Sequence, residues 1–339
     1  MKGVLLVNLG SPDSTSTKDV KKYLGEFLMD KRVIDIPLIW RTLLVKGIIL
    51  NTRPKKSAAA YKKIWWEEGS PLIVLSKRLH EKVAKSSKIP VELAMRYGNP
   101  SIKKGIDDLV KKGVTEILLI PLYPQFAMAT TETITVLAKK IIKKDYPLIK
   151  LETYPAFYNK KDYIKVLSNS IQQEIDKVQP QHLLFSYHGV PERHIKKSDI
   201  TKSHCKIDGS CCKTSSPSHE FCYRHQCYET TRLVAKTLNL NDGTYSTSFQ
   251  SRLGRDPWLQ PYTSDTIEDY AKKGIKNLAV VTPAFVSDCL ETLEEIGMEA
   301  KKSFLENGGE KFTTIPCLND NDDWVNTLVN WITNWTNIS

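Results

Sequence analysis

Short apolar runs rich in β-branched residues recur along the chain at residues 4–8, 91–95, 116–120, 149–153, 182–187, 244–249, 277–281 and 312–315. Between them lie longer stretches with helical spacing, such as Tyr163, Val166, Leu167 and Ile171, or Thr230, Leu233, Val234 and Thr237. The short runs read as strands and the spaced positions as one face of a helix. Their regular alternation predicts an α/β protein in which helices carry the chain between parallel strands.

The pattern also repeats. Lys111-Lys112-Gly113-Val114-Thr115-Glu116-Ile117-Leu118-Leu119-Ile120-Pro121 parallels Lys272-Lys273-Gly274-Ile275-Lys276-Asn277-Leu278-Ala279-Val280-Val281-Thr282-Pro283. Leu5-Leu6-Val7-Asn8-Leu9-Gly10-Ser11-Pro12 likewise parallels Leu184-Phe185-Ser186-Tyr187-His188-Gly189-Val190-Pro191. Coincidence of common helix–turn–strand grammar is the ordinary alternative for matches this short. The repeat reading predicts one doubly wound architecture used twice. The domains expected are 1–155 and 156–320, with a final helix at about 321–338 packing back on the first. In such sheets ligands bind beyond the carboxyl ends of the strands, so the residues just after each strand are the ones to interrogate.

Composition narrows the classes. In 339 residues, 49 Lys+Arg against 38 Asp+Glu leave +11, with 41% hydrophobic and 26% charged residues, an ordinary globular balance that excludes wholesale disorder. The longest uncharged run, 117–131, contains two prolines, so no stretch suits a membrane span. The apolar run at the amino end is too short for a signal peptide, and the expectation is a soluble, cytoplasmic chain. The positive charge falls mostly in scattered Lys pairs, as on a solvated surface; it does not point to nucleic acid.

Candidate chemistry gathers at strand ends. Where the first half has the apolar Leu9 before its glycine, the second has His188, an imidazole able to exchange protons or bind metal near neutral pH. A second strand end leads to Asp288, Glu291 and Glu295, spaced along one α-helical face, although Asp288 with Glu291 also matches a capping box. A third, residues 248–261, mixes Gln250, Arg252 and Trp258 on a loop suited to a flat, carboxylate-bearing ligand. The loops Arg96-Tyr97-Gly98-Asn99-Pro100 and Pro121-Leu122-Tyr123-Pro124-Gln125-Phe126 are their counterparts in the first half, and each also fits simple turn chemistry. No glycine-rich nucleotide loop is present. Five of the seven cysteines, Cys205, Cys211, Cys212, Cys222 and Cys227, crowd into the segment 203–227. In a reducing compartment such clustering reads first as metal or cluster ligation.

Taken together, these motifs resemble ferrochelatase. The resemblance rests on Val7-Asn8-Leu9-Gly10-Ser11-Pro12, Met95-Arg96-Tyr97-Gly98, Ser186-Tyr187-His188-Gly189-Val190-Pro191, Phe249-Gln250-Ser251-Arg252, Pro257-Trp258-Leu259 and Asp288-Cys289-Leu290-Glu291-Thr292-Leu293. It implies two similar Rossmann-like domains with a cleft for a porphyrin, and insertion of Fe²⁺ into protoporphyrin IX to give protohaem in haem biosynthesis. His188 and Glu291 match the family's Fe²⁺-binding pair. His188 would face the pyrrole nitrogens, with Glu291 and Asp288 forming an acidic conduit for cation or protons. Trp258, Tyr123 and Phe285 would wall the macrocycle, and Arg96, Tyr97 and Arg252 would complete the substrate contacts, the arginines by neutralising propionates. The amino-terminal motif is closer to protoporphyrin-using than to coproporphyrin-using members.

The cysteine segment resembles a bacterial subgroup with an internal [2Fe-2S] cluster, which four thiolates suffice to hold. Adjacent Cys211 and Cys212 point in different directions, so one drops out; the set expected is Cys205, Cys212, Cys222 and Cys227. Zinc is the rival, without the paired Cys-x-x-Cys knuckles usual for it. Residues 33–50 hold Ile36, Leu38, Ile39, Trp40, Leu43 and Leu44, expected either at a membrane surface or in an ordinary buried helix. Three other functions compete: a chelatase for coproporphyrin or another tetrapyrrole, a basic Fe–S regulator that binds nucleic acid, and a non-enzymatic haem carrier. The regulator leaves the strand-end His188 and Glu291 without a purpose.

Overall fold

The computed structural model describes residues 1–252, 254 and 256–337. All eight predicted strands form: β1 (Lys2–Asn8), β2 (Val91–Met95), β3 (Glu116–Pro121), β4 (Lys150–Thr153), β5 (His182–His188), β6 (Tyr245–Gln250), β7 (Asn277–Val281) and β8 (Lys311–Thr314). They make two parallel four-stranded sheets, ordered β2-β1-β3-β4 and β6-β5-β7-β8. Read from its own first strand, each sheet has the same order, so the sequence repeat is a repeat of topology. The central strands β1 and β5 are buried along nearly their whole length, as helices on both faces require.

The helix-to-strand turns of the repeat match in detail. Gly113 and Gly274 follow the helices Ile102–Lys111 and Thr263–Lys272 with φ of 81° and 90°, a left-handed turn in which a side chain would be strained. The next residue closes each turn: Val114 N–H donates to the Leu109 carbonyl at 3.1 Å, and Ile275 N–H to the Tyr270 carbonyl at 3.0 Å.

The chain divides into two compact units. The first comprises residues 1–122, 128–155 and the chain from Asn319; the second comprises 123–127 and 156–318. The final helix, Asp322–Asn337, is held in the first unit: Trp331 stacks on Tyr154 at 4.7 Å, and Trp335 Nε1 donates to Glu152 at 2.8 Å. In the second unit, Gln125 Nε2 donates to Thr230 Oγ1 at 3.0 Å and the Phe126 N–H to Gln226 Oε1 at 2.7 Å.

For residues 33–50 the buried-helix alternative does not hold. Leu38, Ile39, Trp40, Leu43 and Ile48 are 56–73% exposed, whereas Arg41 is buried and caps the carbonyls of Ile34 and Ile36 at 3.1 and 3.2 Å. No helix among the described residues is long and apolar enough to cross a membrane.

Candidate active site

The last residue of β5 is His188. Its Nδ1 lies 2.7 Å from the Gly189 carbonyl, which can only accept, so Nδ1 carries the proton and Nε2 keeps the lone pair of the neutral ring. The backbone is pinned as well. Tyr223 Oη donates to the His188 carbonyl at 2.8 Å, and Gly189 N–H donates to the Gln250 carbonyl at 2.7 Å. A Cβ on Gly189 would stand 2.8 Å from the Gln250 carbonyl oxygen and 3.1 Å from Trp258, so only glycine lets the two strand ends approach this closely.

Two aromatic side chains flank the imidazole: Trp258 with ring centroids 6.4 Å apart and Phe285 at 6.2 Å. The Trp258 loop is tied by its backbone to the segment after β5, Leu259 N–H to Val190 at 3.0 Å and Glu192 N–H to Pro257 at 3.0 Å. Trp258 Nε1 is buried and has no partner among the described residues. An unpaired buried donor is costly. Leu253 and Arg255 of this loop lie outside the described residues.

The acidic side is built differently from the even α-helical face the spacing suggested. Glu291–Ala300 is π-helical, with i→i+5 hydrogen bonding that is rare and concentrates at functional sites. Glu291 and Glu295 begin this segment, but Asp288 precedes it and is buried, accepting from Thr292 Oγ1 at 2.8 Å and from the Cys317 N–H at 3.4 Å. Asp288 therefore anchors the start of the segment, while Glu291 and Glu295 remain half-buried. Gln250, the last residue of β6, bridges them: its Nε2 donates to the Glu291 carbonyl at 3.0 Å and to Glu295 at 3.3 Å. Ser251, with φ of 69° in the left-handed region, donates its hydroxyl to the same Glu295 oxygen at 2.5 Å. Burial holds the Glu295 carboxyl above its ordinary range; Glu291 adds to this, whereas Ser251 and the His188 imidazole oppose it. Imidazole and carboxylates thus act on one another within the second unit.

The first-half candidates are engaged inward. Tyr97 is a core residue, 1% exposed, with its hydroxyl 3.1 Å from Asp30. Arg96 pairs with Asp30, donates from Nε to Thr133 Oγ1 at 2.7 Å and lies over the Tyr97 ring at 4.3 Å. Its charge is already matched by Asp30, and the Tyr97 ring is packed in the core. Tyr123 is buried in the second unit. Arg252 is exposed, with its guanidinium 5.0 Å over Tyr262.

The family model for ferrochelatase matches residues 1–335. The chain is 49% identical over 331 residues to the ferrochelatase of Pseudomonas fluorescens (strain Pf0-1), covering 96% of this chain and 95% of that protein. It is 46% identical over 341 residues to that of Opitutus terrae, covering 100% and 99%.

The chain belongs to the ferrochelatase family.

It is accordingly a lyase of haem biosynthesis that inserts ferrous iron into a porphyrin. Among solved structures, SirB from Bacillus subtilis with Fe³⁺ matches with a TM-score of 0.54 at 13% identity over 98% of this chain and 94% of that one, a likeness of fold alone.

In this ferrochelatase the cysteine segment gathers its thiols in the second unit. Cys222 is the shared neighbour: Cys205 and Cys212 both interact with its sulfur. Cys227, one helical turn on, is fully buried. Cys211 faces another way, its sulfur accepting from the Lys206 N–H at 3.2 Å. Burial, with Asp199 adding to it, pushes the Cys205 thiol up to about 11, and contact with Cys222 followed by burial raises that of Cys212. Asp199 meanwhile organises the loop: it accepts from the N–H groups of His204 and Cys205 at 2.9 and 2.8 Å and from the Ser218 hydroxyl. Among the described residues no three His, Cys, Asp or Glu side chains already stand at metal-ligating spacing. By chemistry the donor set nevertheless fits a [2Fe-2S] cluster: soft sulfur donors on two neighbouring segments, with Cys205 and Cys212 each beside Cys222.

Sequence reasoning missed Asp30, Asp199, Tyr223 and Arg224, and quoted Gln250 and Ser251 without a role. Asp30 meets Thr133 across 103 residues, which no spacing rule reveals. Ser251 and Gln250 had a usable signal, since polar residues ending β6 must face whatever follows β5 and β7.

Proposed function

We propose that this ferrochelatase uses protoporphyrin IX, and that His188 accepts the pyrrole protons as Fe²⁺ enters. The observation that carries this reading is the locked imidazole: Nδ1–H is held on the Gly189 carbonyl, so Nε2 is the basic atom, between Trp258 and Phe285. A neutral imidazole accepts one proton with that lone pair and cannot ligate iron with it at the same moment. Glu291 and Glu295, beside it, supply the negative charge that draws in the cation and takes protons onward from the imidazolium. Trp258 and Phe285 offer flat apolar faces to the macrocycle, and the unpaired Trp258 Nε1 offers it one donor. Arg252, exposed on the same loop, meets a propionate.

Cys205, Cys212, Cys222 and Cys227 are the ligands proposed for a [2Fe-2S] cluster, which would clamp the 203–227 segment to the helix Tyr223–Thr237. The exposed Leu38, Ile39, Trp40 and Leu43, close to Lys46, Arg53, Lys55 and Lys56, form a surface suited to an anionic bilayer, from which apolar porphyrins partition.

The decisive measurement is anaerobic Fe²⁺ insertion with protoporphyrin IX and coproporphyrin III in competition. A higher kcat/KM for protoporphyrin is expected; preference for coproporphyrin overturns the substrate assignment.

A further inference from the structure

Arg224 stands inside the cysteine segment without an ion-paired carboxylate among the described residues; the exposed Asp208 acts on it only from beyond ion-pair distance. It is 3% exposed, on the first turn of the helix that also carries Cys227. Nη1 donates to the Ile207 carbonyl at 2.6 Å, Nη2 donates to the Lys206 carbonyl and reaches the Cys211 sulfur at 3.4 Å, and Nε has no hydrogen-bond partner among the described residues. Among the described residues no ion pair to an Asp or Glu involves it. Guanidinium stays charged at any accessible pH, and a buried charge without a counter-ion is destabilising. Carbonyl dipoles solvate such a cation but do not cancel it.

The groups placed to cancel it are sulfurs. The Cys211 sulfur lies 3.4 Å from Nη2, and Cys212 and Cys222 are close enough to act on the same charge. Metal ligation deprotonates thiols outright. An oxidised [2Fe-2S] centre on four thiolates is doubly negative, and its reduction adds a further negative charge.

We infer that Arg224 is the built-in counter-cation of the cysteine site, positioned to neutralise a thiolate-bound [2Fe-2S] centre and so to set how tightly that centre is held and how readily it is reduced. The inference rests on the cluster reading above. Arg224 contributes geometry as well as charge. Its fork ties the loop carbonyls of Lys206 and Ile207, between Cys205 and Cys211, to the helix that begins after Cys222.

The test uses the full-length protein purified anaerobically as wild type, Arg224→Met and Arg224→Lys. The readouts are iron and acid-labile sulfide per chain, visible circular dichroism, midpoint potential by dye-mediated titration, and the rate of cluster loss to a chelator. The Met variant should show a more negative potential and lose its cluster about 10–100-fold faster, the range usual for outer partners of a metal site. The Lys variant should keep a potential close to wild type while losing the cluster faster than wild type, because the charge remains and the fork does not. Equal potentials and equal loss rates in wild type and Met variant would overturn the role of Arg224 and leave the cluster standing. If the Met variant takes up no cluster but the Lys variant does, the charge requirement is supported; if neither does although both fold by far-UV circular dichroism, it is overturned. Wild-type protein free of iron and sulfide, or loaded with zinc, would instead defeat the cluster reading itself and this inference with it.

Discussion

Replacing His188 by alanine tests the proton-acceptor role most directly. The substitution removes the Nε2 lone pair and the two ring contacts with Trp258 and Phe285, and leaves the backbone bonds of residues 188 and 189 to Tyr223 and Gln250 in place. Aromatic pairs contribute about 0.5–1.5 kcal/mol each, so two of them set a stability cost of about 1–3 kcal/mol. In a unit of this size that is a Tm decrease of roughly 2–10 °C, short of unfolding. Loss of a positioned general base costs about 10²–10⁴-fold in rate, or about 2.7–5.4 kcal/mol in the barrier. Porphyrin affinity should change little because both aromatic walls remain. The signature is therefore a large fall in kcat with KM within a few-fold of wild type. Free imidazole, added to fill the vacated space, should restore part of the rate. The assay is the fall of porphyrin fluorescence on anaerobic addition of Fe²⁺, with Zn²⁺ as a second metal and a thermal melt of each protein. A folded His188→Ala protein with kcat within threefold of wild type would show that the pyrrole protons leave by another route.

Glu295→Gln should alter the pH dependence of stability. Because the folded carboxyl sits above its unfolded value, the native state binds the proton more tightly, and stability falls as pH rises from the ordinary carboxylate range through the raised value. The glutamine variant lacks that slope: its Tm should exceed wild type at neutral pH and converge on it in acid, and parallel Tm curves for the two proteins would contradict the assignment. Replacing Trp40 and Leu43 together with serine should leave Tm unchanged, since both side chains are more than half exposed, while reducing co-sedimentation with anionic liposomes several-fold. Unchanged co-sedimentation would exclude this surface from membrane contact.

Several candidate residues of the second unit were legible in the sequence. His188 stood out because the repeat alignment places an imidazole where the first half has Leu9, and the shared strand order of the two sheets explains why the alignment works. The Asp288, Glu291 and Glu295 spacing assumed a geometry that the structure does not have. An α-helical face assumes i→i+4 bonding, and the π-helical Glu291–Ala300 turns Asp288 inward to Thr292. Arg96 read as a free cation because its partner lies 66 residues away.

Strand positions, the duplication, the density of thiols and the strand-end imidazole belong to the sequence alone, because each follows from local periodicity or from a short match between segments. Only the tertiary structure decided which charges are already matched. Asp30 pairs with Arg96, whereas no carboxylate among the described residues forms an ion pair with Arg224, and the apolar residues after Pro37 turn outward while Arg41 turns in. The physical reason is that the cost of a charge or the gain from an apolar side chain depends on the surroundings it is folded into, and those come from distant parts of the chain.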